Sequence, residues 1–269
     1  MFDRIIVSAD DKSFDQFWPI VAKAWNKFFP EVKVTLAFVT NKSENDEYVK
    51  KLREFGEVVL FKLVEGVPTG NQAKMARHYL AGTFGKEICM IEDIDTIPLQ
   101  AKFVVDIIRQ RQKNKLLTVG MEVYDNSPSQ GKFPISNISA ESFIFKEIIN
   151  PNNLTFQEMV KEWMDIRVFD HKEAINNSPD TFSDESLLRV LIKKWNPEEN
   201  KINKVKRGVN IYSDWIDRSW WNIDIDKLQR EEYVTCNFLR PLDKYFDQIK
   251  PVADFIYGRS VDKNELIIN

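Results

Sequence analysis

The run Cys89-Met90-Ile91-Glu92-Asp93-Ile94-Asp95-Thr96-Ile97-Pro98-Leu99 is an apolar stretch that passes directly into acidic residues and stops at a proline. Carboxylates at the end of a buried strand are positioned for a ligand rather than for a core. Alternation along an extended chain puts Asp93 and Asp95 on one side, close enough to approach a single divalent ion together. Mg²⁺ and Mn²⁺ take such oxygen ligands and share themselves with substrate phosphates. The competing reading is local, with these acids capping the following helix or decorating a turn.

Other clusters have the same double character. Ser183-Asp184-Glu185-Ser186-Leu187-Leu188 reads as a helix start, where the two acids complement the helix dipole by about 0.3–1 kcal/mol, or as a second pair of ligand-facing carboxylates. Gln72, Lys74 and Arg77 fall on one helix, and the spacing of the two cations places both on the face that can approach phosphate or sugar. Trp215, Trp220 and Trp221 stand among Asp214, Asp217 and Arg218, a mixture suited to stacking a sugar ring and bonding its hydroxyls, or to a half-buried core. The only histidines, His78 and His171, exclude a multi-histidine zinc site. Cys89 and Cys236 lack any paired spacing and read as buried thiols suited to a reducing cytoplasm.

The elements that must position these groups alternate. Strand patterns at 4–9, 32–39, 58–63, 87–92 and 116–123 are separated by amphipathic stretches. The first of these runs through Phe14, Phe17, Trp18, Val21, Trp25 and Phe28; others cover 44–55, 71–81 behind Pro68-Thr69-Gly70, and 102–112. Such alternation predicts an α/β, Rossmann-like fold, a mostly parallel sheet flanked by helices with its ligand site outside the carboxyl ends of the strands. Residues 126–137, rich in Ser, Pro, Gly and Asn, read as a loop, either a binding lid or a passive connection. Beyond it the chain becomes helical at 154–164 and 184–195, irregular and aromatic at 209–221, and helical again at 245–257. The basic run 201–207 reads as a solvated face.

Composition bounds the rest. The 269 residues suit one domain, with a first half at about 1–125 and a second at about 126–269 set apart by the change in pattern. Apolar residues at 43% and charged ones at 29% exclude a largely disordered chain. With 38 basic against 41 acidic residues the net charge is −3, which gives no field to attract nucleic acid. No apolar run reaches the roughly 20 residues of a transmembrane helix, and a cytoplasmic location is expected.

A strand ending in Asp93-Ile94-Asp95 and followed by Ile-Pro-Leu resembles the DxD motif of the GT-A-fold glycosyltransferases, which use nucleotide sugars. Ser8-Ala9-Asp10-Asp11, Phe17-Trp18-Pro19, residues 70–77, Asp184-Glu185-x-Leu-Leu, Ile216-Asp217-Arg218-Ser219 and Tyr233 to Pro241 resemble family segments in the same order. The resemblance implies a GT-A-like fold with an irregular helical C-terminal part. It implies a metal-dependent, hexosyltransferase-like enzyme that moves a sugar from a nucleotide diphosphate donor, UDP-linked by preference, to a glycan or other hydroxyl acceptor.

The resemblance also assigns roles. Ala9, Asp10 and Thr40 would hold nucleobase and ribose; Gln72, Lys74, Arg77, Asp93 and Asp95 would complete the donor site. Asp184, ahead of Glu185, would face the sugar and acceptor, as the general base that inverting members use or as a sugar-binding group as in others, with Trp215, Asp217 and Trp220 on the acceptor side. Mn²⁺ or Mg²⁺ would sit on Asp93, Asp95 and Asn237. Many relatives carry a metal-binding histidine where Asn237 stands, and an amide oxygen ligates a transition metal less strongly than imidazole does. That departure leaves a non-catalytic nucleotide-sugar-binding protein as the alternative. A nucleotidyltransferase is disfavoured, because 7–12 contains no glycine for a phosphate loop.

Overall fold

The computed structural model describes residues 1–12, 14–122, 132–174, 184–208 and 210–268, with only the backbone described at 166–174 and 211. Residues 126–131 of the expected loop, the Phe182-Ser183 start of the second acidic cluster and the His171 side chain lie outside the described set.

The first half alternates as its periodicity predicts. Strand β1 (Arg4–Asp10) leads through a short 3-10 turn into α1 (Trp18–Phe28), then β2 (Lys33–Val39), α2 (Glu47–Arg53), β3 (Glu57–Phe61), α3 (Thr69–Ala81) and β4 (Ile88–Ile91). Seven of seven residues of β1 are buried, the signature of a central parallel strand covered on both faces. Helix α1 buries Trp18, Val21 and Trp25, and the Trp18 indole donates to the Leu52 carbonyl at 2.7 Å, so a polar edge accompanies the ring into the core. Asp46 caps α2 through the Tyr48 amide at 2.9 Å.

The chain continues with β5 (Thr96–Pro98), α4 (Ala101–Ile108), β6 (Leu116–Val119), β7 (Ile138–Glu141), α5 (Ser142–Ile149), α6 (Phe156–Ala174), α7 (Asp184–Trp195) and β8 (Ile202–Val205). The main sheet has the order β3-β2-β1-β4-β7-β6-β8, parallel throughout except for β7, which runs antiparallel to both of its neighbours. This is the mostly parallel, helix-flanked α/β sheet that the alternation implies. Strand β8 corrects the reading of 201–207 as a solvated face: Ile202 and Val205 turn inward while Lys204 stays exposed.

After β8 come α8 (Ile211–Asp214), β9 (Trp215–Asp217), a 3-10 turn at Arg218–Trp220, α9 (Ile225–Gln229), β10 (Thr235–Asn237), α10 (Phe246–Tyr257) and α11 (Lys263–Leu266). The short strands β9 and β10 join β5 in a second sheet, β5-β10-β9, which periodicity does not reveal. Its register is the fold's contribution to the site: Asn237 pairs with Thr96 on one side and with Asp217 on the other. Asp95, Asn237 and Arg218 are thereby gathered at one end of it. Both cysteines are buried free thiols, and burial pushes Cys89 up to about 12. Among the described residues no helix is long and apolar enough to cross a membrane.

Candidate active site

At the carboxyl ends of β1 and β4 the chain leaves the sheet and opens a cavity of about 470 Å³. It is lined by Ser8, Ala9 and Asp10 after β1, by Lys74 and Arg77 of α3, by Asp93 and Asp95 after β4, and by Asp184 and Glu185 at the start of α7. Residues 132, 135 and 136 of the expected loop also line it, as do Arg218 and Arg240 from the C-terminal part.

Asp93 and Asp95 reach this cavity by a different route from simple alternation. The Thr96 amide donates to the Asp93 carbonyl at 3.1 Å, closing a turn, and Phe238 N donates to the Asp95 carbonyl at 2.8 Å, pinning that turn to β10. The turn, not an extended backbone, places both carboxylates together.

Arg77 organises one wall. It is buried, and its guanidinium donates to Asp93 Oδ1 at 2.5 Å, to Asp184 Oδ2 at 3.0 Å and to the Glu92 carbonyl at 2.9 Å. Burial opposes ionisation of Asp93, but the charge and hydrogen bond of Arg77 together with the charges of Arg240 and Arg218 outweigh it and hold the carboxyl below its usual value. Asp184 is the reverse case: burial dominates over Arg77 and Lys74, and its carboxyl is raised. Glu92, buried behind them and beside the Asp93 charge, is pushed up to about 8. Glu185 forms an ion pair with Lys132 at 3.0 Å.

Asp10 marks the other end. It is buried, its Oδ2 accepts from the Thr69 hydroxyl at 2.6 Å, and its Oδ1 has no hydrogen-bond partner among the described residues. A buried carboxylate oxygen without a donor is costly. Asp10 also lines the cavity, so its carboxylate is the hydrogen-bond acceptor that this end of the wall offers.

Not every expected residue is brought here. Thr40 does not line the cavity and donates to Asp11 Oδ2 at 2.6 Å. Gln72 is turned away: its amide accepts from Val64 N and donates to the carbonyls of Val64 and Val67, stapling the preceding loop to α3. Trp215, Asp217 and Trp220 also lie off the cavity wall. Arg207 stacks on Trp215, Asp217 caps the following turn through Ser219 N at 2.8 Å, and Trp220 packs at 5.1 Å against Tyr212 to make an exposed aromatic pair. Sequence reasoning missed Arg240, whose only signal was its place in the segment ending at Pro241.

The oxygens expected to hold a metal are engaged by arginines. Arg218 Nη1 donates to Asp95 Oδ2 and to Asn237 Oδ1, each at 2.6 Å, and Arg240 Nε donates to the same Asp95 oxygen. Among the described residues no group of three His, Cys, Asp or Glu side chains is arranged to hold a metal ion. A divalent cation could reach Asp95 Oδ2 and Asn237 Oδ1 only if Arg218 left them.

No protein-family profile matches the sequence, and no curated protein matches it. Solved structures do match. The glycosyltransferase GlyE of Streptococcus pneumoniae TIGR4 superposes with a TM-score of 0.56 at 12% identity, over 99% of this chain and 62% of its own. This chain therefore spans less than two thirds of GlyE. The galactosyltransferase LgtC, in complex with donor and acceptor sugar analogues, superposes with a TM-score of 0.51 at 11% identity, over 97% of this chain and 98% of its own. An active-site mutant of LgtC gives a TM-score of 0.51 at 14% identity, covering 88% of each chain. With the mixed sheet and the cavity at its strand ends, these likenesses identify the fold of this chain as the GT-A-like α/β fold of glycosyltransferases.

Proposed function

We propose that the protein transfers a sugar from a nucleoside diphosphate sugar, a UDP-sugar by preference, to a hydroxyl acceptor such as a glycan. The observation that carries this reading is the layout of one cavity: buried Asp10 with an unpaired oxygen at one end, and a cluster of Lys, Arg and Asp at the other. The first end offers an acceptor for nucleobase N–H or ribose hydroxyls; the second offers charge-assisted donors for a diphosphate. LgtC, which shares the fold, is solved in complex with donor and acceptor sugar analogues, and that supports a sugar donor and an acceptor here.

In the reaction the bond between the anomeric carbon and the diphosphate oxygen breaks, and its electron pair passes to that oxygen. The acceptor oxygen forms the new bond, and its proton is assigned to Asp184. The raised carboxyl makes Asp184 a stronger base than an exposed aspartate, and α7 holds it at the wall. The half-buried tryptophan Trp215 and the exposed pair Tyr212 and Trp220 are assigned to the acceptor, whose rings they can stack.

The test is a product assay over nucleotide sugars and glycan acceptors with wild type and Asp184→Asn. Transfer by the wild type, with kcat lowered by about 10²-fold or more in the variant, is the expected result. Sugar release from an oligosaccharide without any nucleotide donor would replace this reading with a hydrolase.

A further inference from the structure

The second sheet brings three groups to one place from distant parts of the chain. Asp95 precedes β5, Asn237 ends β10 and Arg218 follows β9, and the strand register makes them neighbours. Arg240 joins them three residues beyond β10. Two guanidiniums thus converge on a single, almost fully buried carboxylate, and each keeps about a third of its side chain exposed.

That arrangement exceeds what Asp95 needs. One guanidinium neutralises Asp95; the charge of the second also acts on Asp93, which shares Arg77 with Asp184. A guanidinium carries five N–H donors. Arg218 uses only Nη1, on Asp95 and Asn237, and Arg240 uses only Nε, on Asp95; their remaining donors make no hydrogen bond with the described residues. Arg240 also lies over the Phe14 ring, 4.9 Å from its centroid, which fixes the plane of its fork. Both arginines line the cavity, together with Lys74 and Lys132.

The same contacts argue against a cation here. A divalent ion on Asp95 Oδ2 and Asn237 Oδ1 would have to displace Arg218 from both and sit against the charge of Arg240. Asn237 offers a neutral amide, which holds Mn²⁺ poorly. Guanidinium forks, in contrast, match phosphate oxygens in geometry and charge.

We propose that Arg218 and Arg240, anchored on Asp95 and Asn237, bind the donor's diphosphate in place of a divalent metal, so that donor binding and transfer are metal-independent. The inference rests on the reading of the cavity as a nucleoside diphosphate sugar site. In the transfer step the guanidinium N–H groups stabilise the electron pair left on the departing diphosphate oxygen, and no co-reactant is required.

The experiment is calorimetric titration with UDP, GDP, ADP, CDP and TDP, in EDTA, in Mg²⁺ and in Mn²⁺, on wild type, Arg218→Ala, Arg240→Ala and Arg240→Lys. The expected result is one nucleoside diphosphate whose Kd in EDTA lies within about threefold of its value in either metal. Each alanine variant then weakens binding by about 10-fold or more, and Arg240→Lys loses part of it because the charge remains without the fork. Binding that appears only with metal, and survives or tightens in Arg218→Ala, overturns the arginine site and leaves the donor reading standing. Failure of all five nucleotides to bind under every condition overturns the donor reading and this inference with it. If circular dichroism shows a variant unfolded, the comparison of EDTA with metal on the wild type decides alone.

Discussion

Arg77 shows how much one side chain carries at this site. Its guanidinium is buried among Asp93, Asp184 and the Glu92 carbonyl, so it sets the charge of both carboxylates while having little exposure of its own. Arg77→Met would keep most of the side-chain volume but strand two carboxylates. Loss of one partner from a buried ion pair costs about 3–5 kcal/mol, and urea unfolding should show a decrease of that size. A decrease comparable to a surface substitution would mean that the cluster is solvated. Asp93, Asp95 and Asp184 were legible in the sequence as acids at a strand end and a helix start, and the fold brings all three to one cavity. Gln72 was not: its place on α3 was readable, but the Val64 and Val67 backbone that consumes its amide lies in the preceding loop, whose path only the fold determines. Arg77 was read as a cation near phosphate, while the structure spends it on protein carboxylates.

At the level of elements, β4 delivers its acids at a cost that pH should expose. Glu92, the residue after β4, is buried and raised to about 8, whereas an unfolded glutamate titrates near its ordinary value of 4.5. Between these values the folded chain holds a proton that the unfolded chain has released. Its contribution to stability is therefore complete below about pH 4.5 and is lost as pH rises toward about 8. Glu92→Gln, which cannot ionise, should flatten that decline by an amount on the order of a few kcal/mol, read from denaturant midpoints across this range. Equal slopes in both proteins would place Glu92 in contact with water. The short strands behind the site explain what periodicity could not show. Three residues each in β5, β9 and β10 are too few for alternation to register, and their pairing partners lie more than a hundred residues apart in the β5–β10 case. The longer strands β1 and β2 were legible for the opposite reason, since seven consecutive residues carry the pattern.

Across the whole molecule, the parallel run β3-β2-β1-β4 points its carboxyl ends toward one edge, and Asp95, Arg218 and Arg240 from the ends of the second sheet line the same opening. Fold class and the position of the cavity follow from the alternation of strands and helices in the first half of the chain. The arginine lining does not, because it depends on how the irregular C-terminal part folds back across β4. The account gives the cavity a polarity, with the base and ribose near Ala9 and Asp10, and the diphosphate near Lys74, Arg218 and Arg240. The most direct measurement of that polarity is a crystal structure of the protein with the nucleoside diphosphate that binds best. The account predicts density in this cavity, with a hydroxyl or ring N–H of the nucleoside on Asp10 and phosphate oxygens on Arg218 and Arg240. A nucleotide found elsewhere, such as the second cavity between Tyr79, Lys146 and Asn150, would contradict it.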